Sequence, residues 1–198
     1  LEGDAVHNET DFSEAGRGRD PNFLMFFKAS FVEGDYRSYD RWRYGSFRNY
    51  TPSKYAFGYL VQTSMRLSSG NYQMMGDIYH DFAYKWYDPS IWNKAFRKYT
   101  GKTGRKHFRA VTSIMTDYWK WDYTQRGEYT PMTSLSTYDN KYYATYHSPL
   151  PMEDGLYVVK AGLAHVSKLV RIDSLGKEKF VRPFAAQNLT STVTMKDD

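Results

Sequence analysis

Leu1-Glu2-Gly3-Asp4-Ala5-Val6-His7-Asn8-Glu9 reads as the opening of a helix that carries acids along one face. Glu2 and Glu9 stand seven residues apart, two helical turns, so they point the same way, and Ala5 and Val6 between them form the expected buried stripe. Two alternatives stand for these acids. They are ordinary solvated carboxylates on a surface helix, or they are placed there for chemistry.

Composition narrows the classes. At 198 residues and 41% hydrophobic, the chain suffices for one medium domain or for one domain and part of a second. Nineteen tyrosines and five tryptophans exceed what a core needs and suit half-wet boundaries or a recognition surface. The absence of cysteine excludes disulfides, thiol catalysis and cysteine-ligated zinc. A net charge of +5 would suit a polyanion, but basic residues alternate with acids and no long basic run occurs, so nucleic acid is not an expected partner. No apolar run approaches the roughly 20 residues that span a bilayer, so no transmembrane segment is expected.

Outward from the first helix, the glycines and proline of the stretch from Ser13 to Pro21 predict a loop. Its Gly-Arg-Gly-Arg is a turn more simply than a phosphate cradle, since no strand precedes it and no Lys-Ser/Thr follows. Asp20 then caps a helix with Pro21 in its first turn and Phe23, Leu24, Phe26, Phe27, Phe31 and Val32 on a wide apolar face. From Gly34 to Tyr50 the chain is turn-rich and weaves Tyr36, Tyr39, Trp42 and Tyr44 with Arg37, Arg41 and Arg43. Tyr36, Tyr39, Arg41, Trp42 and Tyr44 are therefore a candidate binding surface for sugars or peptide side chains, or a set of rings and guanidiniums stacked on one another over the core.

From Thr51 the pattern is helical for four segments. Thr51 and Pro52 open the first, Ser69-Gly70 closes it, and a second runs from Tyr72 to Tyr84. Asp88-Pro89 opens a third that ends at Gly101, and Lys106 to Asp122 forms a fourth with Phe108, Val111, Ile114, Met115, Tyr118 and Trp119 inward. Short connections predict one helical core. At Arg126-Gly127 the period shifts toward two. Strands are expected at 142–146, 156–161, 168–173 and 179–184, with Pro149 to Gly155 as a turn. The expected fold class is α+β: a mainly helical lobe over residues 1–126, followed by an antiparallel β-meander over 127–198.

Leu-Glu-Gly-x-Ala with a second Glu seven residues on resembles the glutamate helix of gluzincin, peptidase MA-like zinc metallopeptidases. Tyr55-Ala56-Phe57-Gly58-Tyr59-Leu60 and the aromatic helix beyond Gly101 are similar to the helical C-terminal lobe of that family. The resemblance implies that Glu2 is a zinc ligand, that Glu9 orients the site behind it, and that Tyr55 and Tyr59 line the cleft and donate to the oxyanion. Asp4 stands where the family places a hydrophobic residue, and the His-Glu-x-x-His helix is missing. His7, His80, His107, His147 and His165 are scattered, none paired at i, i+4.

The turn Pro151-Met152-Glu153-Asp154-Gly155 and the run Leu169-Val170-Arg171-Ile172-Asp173 before Gly176-Lys177 resemble the repeat of TolB-like β-propellers. One such blade cannot close a ring. Together the two resemblances imply a fragment of a larger secreted or periplasmic protein, periplasmic or associated with the outer membrane of a Gram-negative bacterium. Peptide hydrolysis and zinc belong to the parent only. In this chain alone no cofactor and no activity are expected, and a peptide or protein substrate, or an envelope protein, is the expected partner. The alternative is a non-catalytic envelope scaffold that binds proteins or glycans through the aromatic/Arg surface. Two motifs stand apart from this: Asn188-Leu189-Thr190 matches the N-glycosylation pattern, and Asp173-Ser174-Leu175 resembles a bacterial O-glycosylation site and is equally an ordinary turn.

Overall fold

The structure is a computed structural model that describes residues 2–128, 130–135 and 142–184. The Asn188 motif lies outside the described residues. The fold is α+β: among the described residues, seven α-helices are followed by a four-stranded antiparallel sheet. The chain divides into two compact units, Leu1–Gly45 with Thr51–Glu128, and Ser46–Tyr50 with Tyr129–Asp198.

The first unit begins with α1, Glu2–Phe12, and a short 3-10 turn, Arg17–Arg19. The helix buries Gly3, Val6, His7 and Thr10, while Ala5 is exposed. The stripe is therefore shifted one position from the Ala5/Val6 pair, because the partner helix is met through glycine. A Cβ on Gly3 would lie 2.1 Å from the Gly58 carbonyl carbon and 2.5 Å from the Tyr59 nitrogen, and a Cβ on Gly58 would lie 3.0 Å from Gly3 Cα. Only two glycines permit this backbone-to-backbone crossing. It also brings Asp4 onto Arg66.

Helix α2, Pro21–Val32, is capped by Asp20, whose side chain accepts from the Asn22 amide. Helix α3, Tyr39–Tyr44, is a six-residue helix inside the segment read as turn-rich; Ser38 caps it by accepting from the Arg41 amide. Helix α4, Lys54–Ser69, starts later than Thr51-Pro52 suggested. Ser53 is its cap, accepting from the Ala56 amide, and Gly70 ends it in the left-handed conformation.

Helices α5, Met74–Tyr84, and α6, Ile91–Thr100, follow. Asp88 accepts from the Ser90 amide and hydroxyl in the turn before α6. Helix α7, Gly104–Gln125, is capped by Thr103 and buries Phe108, Val111, Thr112, Thr116 and Trp119. Ile114 and Tyr118 face outward, contrary to the sequence expectation. The stripe runs instead through threonines whose hydroxyls are satisfied within the helix: Thr112 donates to the Phe108 carbonyl at 2.8 Å and Thr116 to the Thr112 carbonyl at 2.6 Å. Such back-bonding lets a polar residue take a core position.

One core serves the unit. Phe27 and Phe31 are fully buried and pack with Trp42, Phe57, Met65, Met74, Phe96 and Phe108. Each ring of this size contributes roughly 1.5–3 kcal/mol on burial. The rings meet edge-on or tilted, as Phe27–Trp42 at 4.8 Å and Tyr39–Phe108 at 5.7 Å.

In the second unit, β1, Ala144–Met152, β2, Gly155–Gly162, β3, His165–Ile172, and β4, Glu178–Pro183, pair in sequence order. Residues Pro149 to Met152 are strand, not turn; the connection shrinks to Glu153 and Asp154. Proline is accommodated because β1 is an edge strand with its register shifted between His147 and Leu150, where Ser148 takes φ 50°. Val158, Val170 and Ile172 form the apolar face with Tyr146 and Leu156 packed against them. Beside them Lys160 is buried and bonded to Glu178 at 2.6 Å, and Tyr146 also donates to Glu178. Segment 46–50 belongs to this unit: the Tyr143 amide donates to the Arg48 carbonyl at 3.1 Å, and the Tyr50 and Tyr143 rings lie 4.7 Å apart. At the β3–β4 turn, Asp173 accepts from the Leu175 and Lys177 amides, so the aspartate of Asp173-Ser174-Leu175 folds the turn.

Candidate functional site

Glu2 is an exposed residue at the lip of a cleft of about 630 Å³, whose floor and walls include Gly3, Lys54, Gly58, Gln62, Tyr79, Phe82 and Trp92. A second hollow of about 360 Å³ shares Lys54, Gly58, Gln62 and Trp92 with it and extends to Tyr39, Arg43 and Tyr44. The two form one groove along α4. The Gly3/Gly58 crossing shapes it, because side chains there would fill the space between α1 and α4.

The polar groups at its base are unusual. Gln62 is 5% exposed and its Oε1 is buried with no hydrogen-bond partner among the described residues. Tyr79 Oη is buried as well and lies beside the Asp4 carboxylate. Burial, followed by the neighbouring Asp4 carboxylate, pushes the Tyr79 phenol above its ordinary pKa. With Gln62 buried, little of its side chain reaches the groove, whose accessible walls are Lys54, Phe82 and Trp92.

The other proposed chemistry-bearing residues lie apart from Glu2. Glu9 accepts from Arg17 Nε at 2.9 Å, Nη2 at 2.7 Å and the Arg17 amide at 3.1 Å, and these bonds lower its pKa. The same guanidinium stacks 5.0 Å over Tyr55. Tyr59 packs between His7 and Phe23, with ring centroids 6.2 and 5.9 Å away, and its hydroxyl borders Gly18. Neither Tyr55 nor Tyr59 is among the residues lining the Glu2 cleft. The structure thus brings Glu9 and Tyr55 together through Arg17, around the 3-10 turn, and leaves Glu2 with the groove.

Of the aromatic/Arg segment, Trp42 is 3% exposed, a core residue with the Arg37 guanidinium 5.0 Å over it. Tyr36, Arg41 and Tyr44 are exposed, and Arg43 lies 6.0 Å over Tyr39 and 5.1 Å over Tyr44. Tyr39 links this stacked surface to the core.

A zinc ion needs several donors and an open position. Among the described residues no group of three His, Asp or Glu side chains stands close enough to hold a metal. His7 is engaged by Thr63 at 3.1 Å and Asp11 at 3.0 Å, and His107 by Ser64 at 3.0 Å. The residues around Glu2 do not by themselves fit the zinc site of the resembled family. Gln62, Tyr79 and Lys54, which give the groove its polar character, carried no signal in the sequence beyond helical spacing; only their convergence marks them. No helix among the described residues is long and apolar enough to cross a membrane. No family model, curated protein or solved structure matches this chain.

Proposed function

We propose that the helical unit is the substrate-cleft lobe of a zinc metallopeptidase-like protein of the bacterial periplasm or outer membrane, and that it holds a peptide in the groove over α4. The observation that carries this is an aromatic-walled groove lined by Lys54, Gln62 and Tyr79 with Glu2 at its lip. An extended peptide places its carbonyls against the exposed Lys54 and its side chains against Phe82 and Trp92, over the Gln62 side chain. Hydrolysis and zinc are assigned to the parent protein only, with Glu2 as the one donor this chain contributes. The sheet is proposed as one blade of a TolB-like propeller.

The test is a titration of the chain with short peptides, followed by tryptophan fluorescence. Saturable binding that Gln62→Leu weakens supports the proposal; no binding, or binding indifferent to Gln62→Leu, overturns it. For the parent, a His-Glu-x-x-His helix encoded ahead of Leu1 supports the peptidase assignment and its absence removes it. Tight, stoichiometric zinc uptake by this chain alone would contradict the division of labour.

A second function is favoured by the exposed stack of Arg43 with Tyr39 and Tyr44: a non-catalytic envelope scaffold that binds glycans or proteins there. Glycan binding that survives Gln62→Leu and is lost in Tyr44→Ala would establish it in place of the first.

A further inference from the structure

A separate hollow of about 410 Å³ lies between the segment ahead of α3 and one face of α7. Its aromatic wall is Tyr36, Tyr39 and Phe108, and its cationic side is Arg37, Arg105 and Arg109. Two of these guanidiniums are already matched: Arg37 pairs with Asp35, and Arg105 Nε with Asp40 at 2.7 Å. Arg109 is exposed and has neither a hydrogen bond nor an ion pair among the described residues. One turn further along α7, Ser113 adds an exposed hydroxyl to the same lining. The uncompensated charge of the hollow is therefore a single guanidinium fork beside a ring-lined wall.

We propose that this hollow binds an aromatic carboxylate, with the carboxylate on the Arg109 fork and the ring against Tyr36 and Phe108. Guanidinium and carboxylate match in bidentate geometry, and one unpaired arginine calls for one negative charge. The wall supplies the apolar surface that inorganic anions cannot use. The volume admits an amino-acid derivative or the last residue of a peptide, which share this chemistry. This site does not depend on the groove over α4 and shares only Tyr39 with it.

The experiment uses the full chain and follows its amide resonances during titration with N-acetyl-tyrosine, its C-terminal amide, a tetrapeptide ending in tyrosine, and inorganic phosphate. Saturable shifts around Arg109 and Tyr36 are expected for the acids, with the amide and phosphate at least about tenfold weaker, equivalent to about 1.4 kcal/mol. Arg109→Gln, an exposed helix position, keeps the melting temperature and weakens the acids by a similar factor. Tyr36→Ala, a second exposed position, weakens both aromatic acids and leaves the weak binding of phosphate unaffected. Tighter binding of the tetrapeptide identifies a peptide C-terminus as the source, and tighter binding of N-acetyl-tyrosine a free acid. The proposal is overturned if neither acid saturates up to millimolar concentration, if acid and amide bind alike, if phosphate competes equally, or if Arg109→Gln changes nothing.

Discussion

Asp4 of α1 and Arg66 of α4 form an ion pair in the seam between the two helices, with side chains 13% and 4% exposed. Arg66 also donates from Nε to the Tyr72 carbonyl at 3.3 Å, so this one guanidinium ties α1 to the turn that follows α4. Removing the carboxylate leaves a buried cation alone. Asp4→Ala should lower stability by about 3–5 kcal/mol in urea unfolding, and the double variant Asp4→Leu/Arg66→Met should recover most of the loss. A loss below about 1 kcal/mol in the single variant would show that the charge escapes to water.

The Gly3/Gly58 crossing makes an equally direct prediction. Gly3→Ala forces a methyl to within 2.1 Å of backbone and should cost about 3 kcal/mol, with α1 displaced. Gly76→Ala in α5, where a Cβ meets nothing within 4 Å, should raise stability by about 0.4–1 kcal/mol. Thermal melting of the pair separates close packing from backbone freedom: if both variants lose stability alike, packing is not the reason for Gly3.

His107 gives a pH dependence. Burial, followed by the nearby Lys102 charge, pushes its pKa down to about 4, from about 6.5 in the unfolded chain. A folded-state pKa below the unfolded one means the fold favours neutral imidazole. Its contribution is thus fully present above pH 6.5 and lost as pH falls through 4, an effect on the order of 3 kcal/mol. His7 shifts the same way through burial and Arg66. Unfolding free energy measured from pH 7 to pH 4 should fall, and His107→Asn should flatten the curve; an unchanged slope in that variant would assign the effect elsewhere.

In the sheet, burial opposes charge on both Lys160 and Glu178, yet their mutual bond, helped by Tyr146, wins: Lys160 moves up and Glu178 down. Glu178→Ala should therefore destabilise the sheet by about 3 kcal/mol, while Lys160→Met with Glu178→Leu should be close to neutral. Hydrogen exchange of the β2 amides reads this unit alone. Faster exchange confined to the single variant is the expected result.

Periodicity carried most of the architecture. The Phe27/Phe31 face, the Gly70 and Gly101 stops and the shift to period two after Arg126 were all legible, since each reports a local backbone preference or a single buried face. The turn assigned to Pro149–Gly155 failed because proline excludes a central strand but not an edge, and the order β1-β2-β3-β4 that makes β1 an edge is a tertiary fact. Ile114 and Tyr118 were placed inward because apolar residues outrank threonine in any pattern count. The helix turned its threonine face to the core once Thr112 and Thr116 had satisfied their own hydroxyls.

The candidate sites divide in the same way. Glu2 and Arg109 can be picked out as charged residues on helices, but nothing in the order of residues says that Arg109 lacks a carboxylate among the described residues while Arg105 and Arg37 each have one. By itself the sequence determined the α+β class and the absence of thiol chemistry, because these follow from residue type and local spacing. Only the tertiary structure decided which helix Gly3 meets, which side chains line the groove over α4, and which arginine is left uncompensated among the described residues. Those properties depend on partners brought from distant positions in the chain, and burial together with those partners sets the strength of their electrostatics.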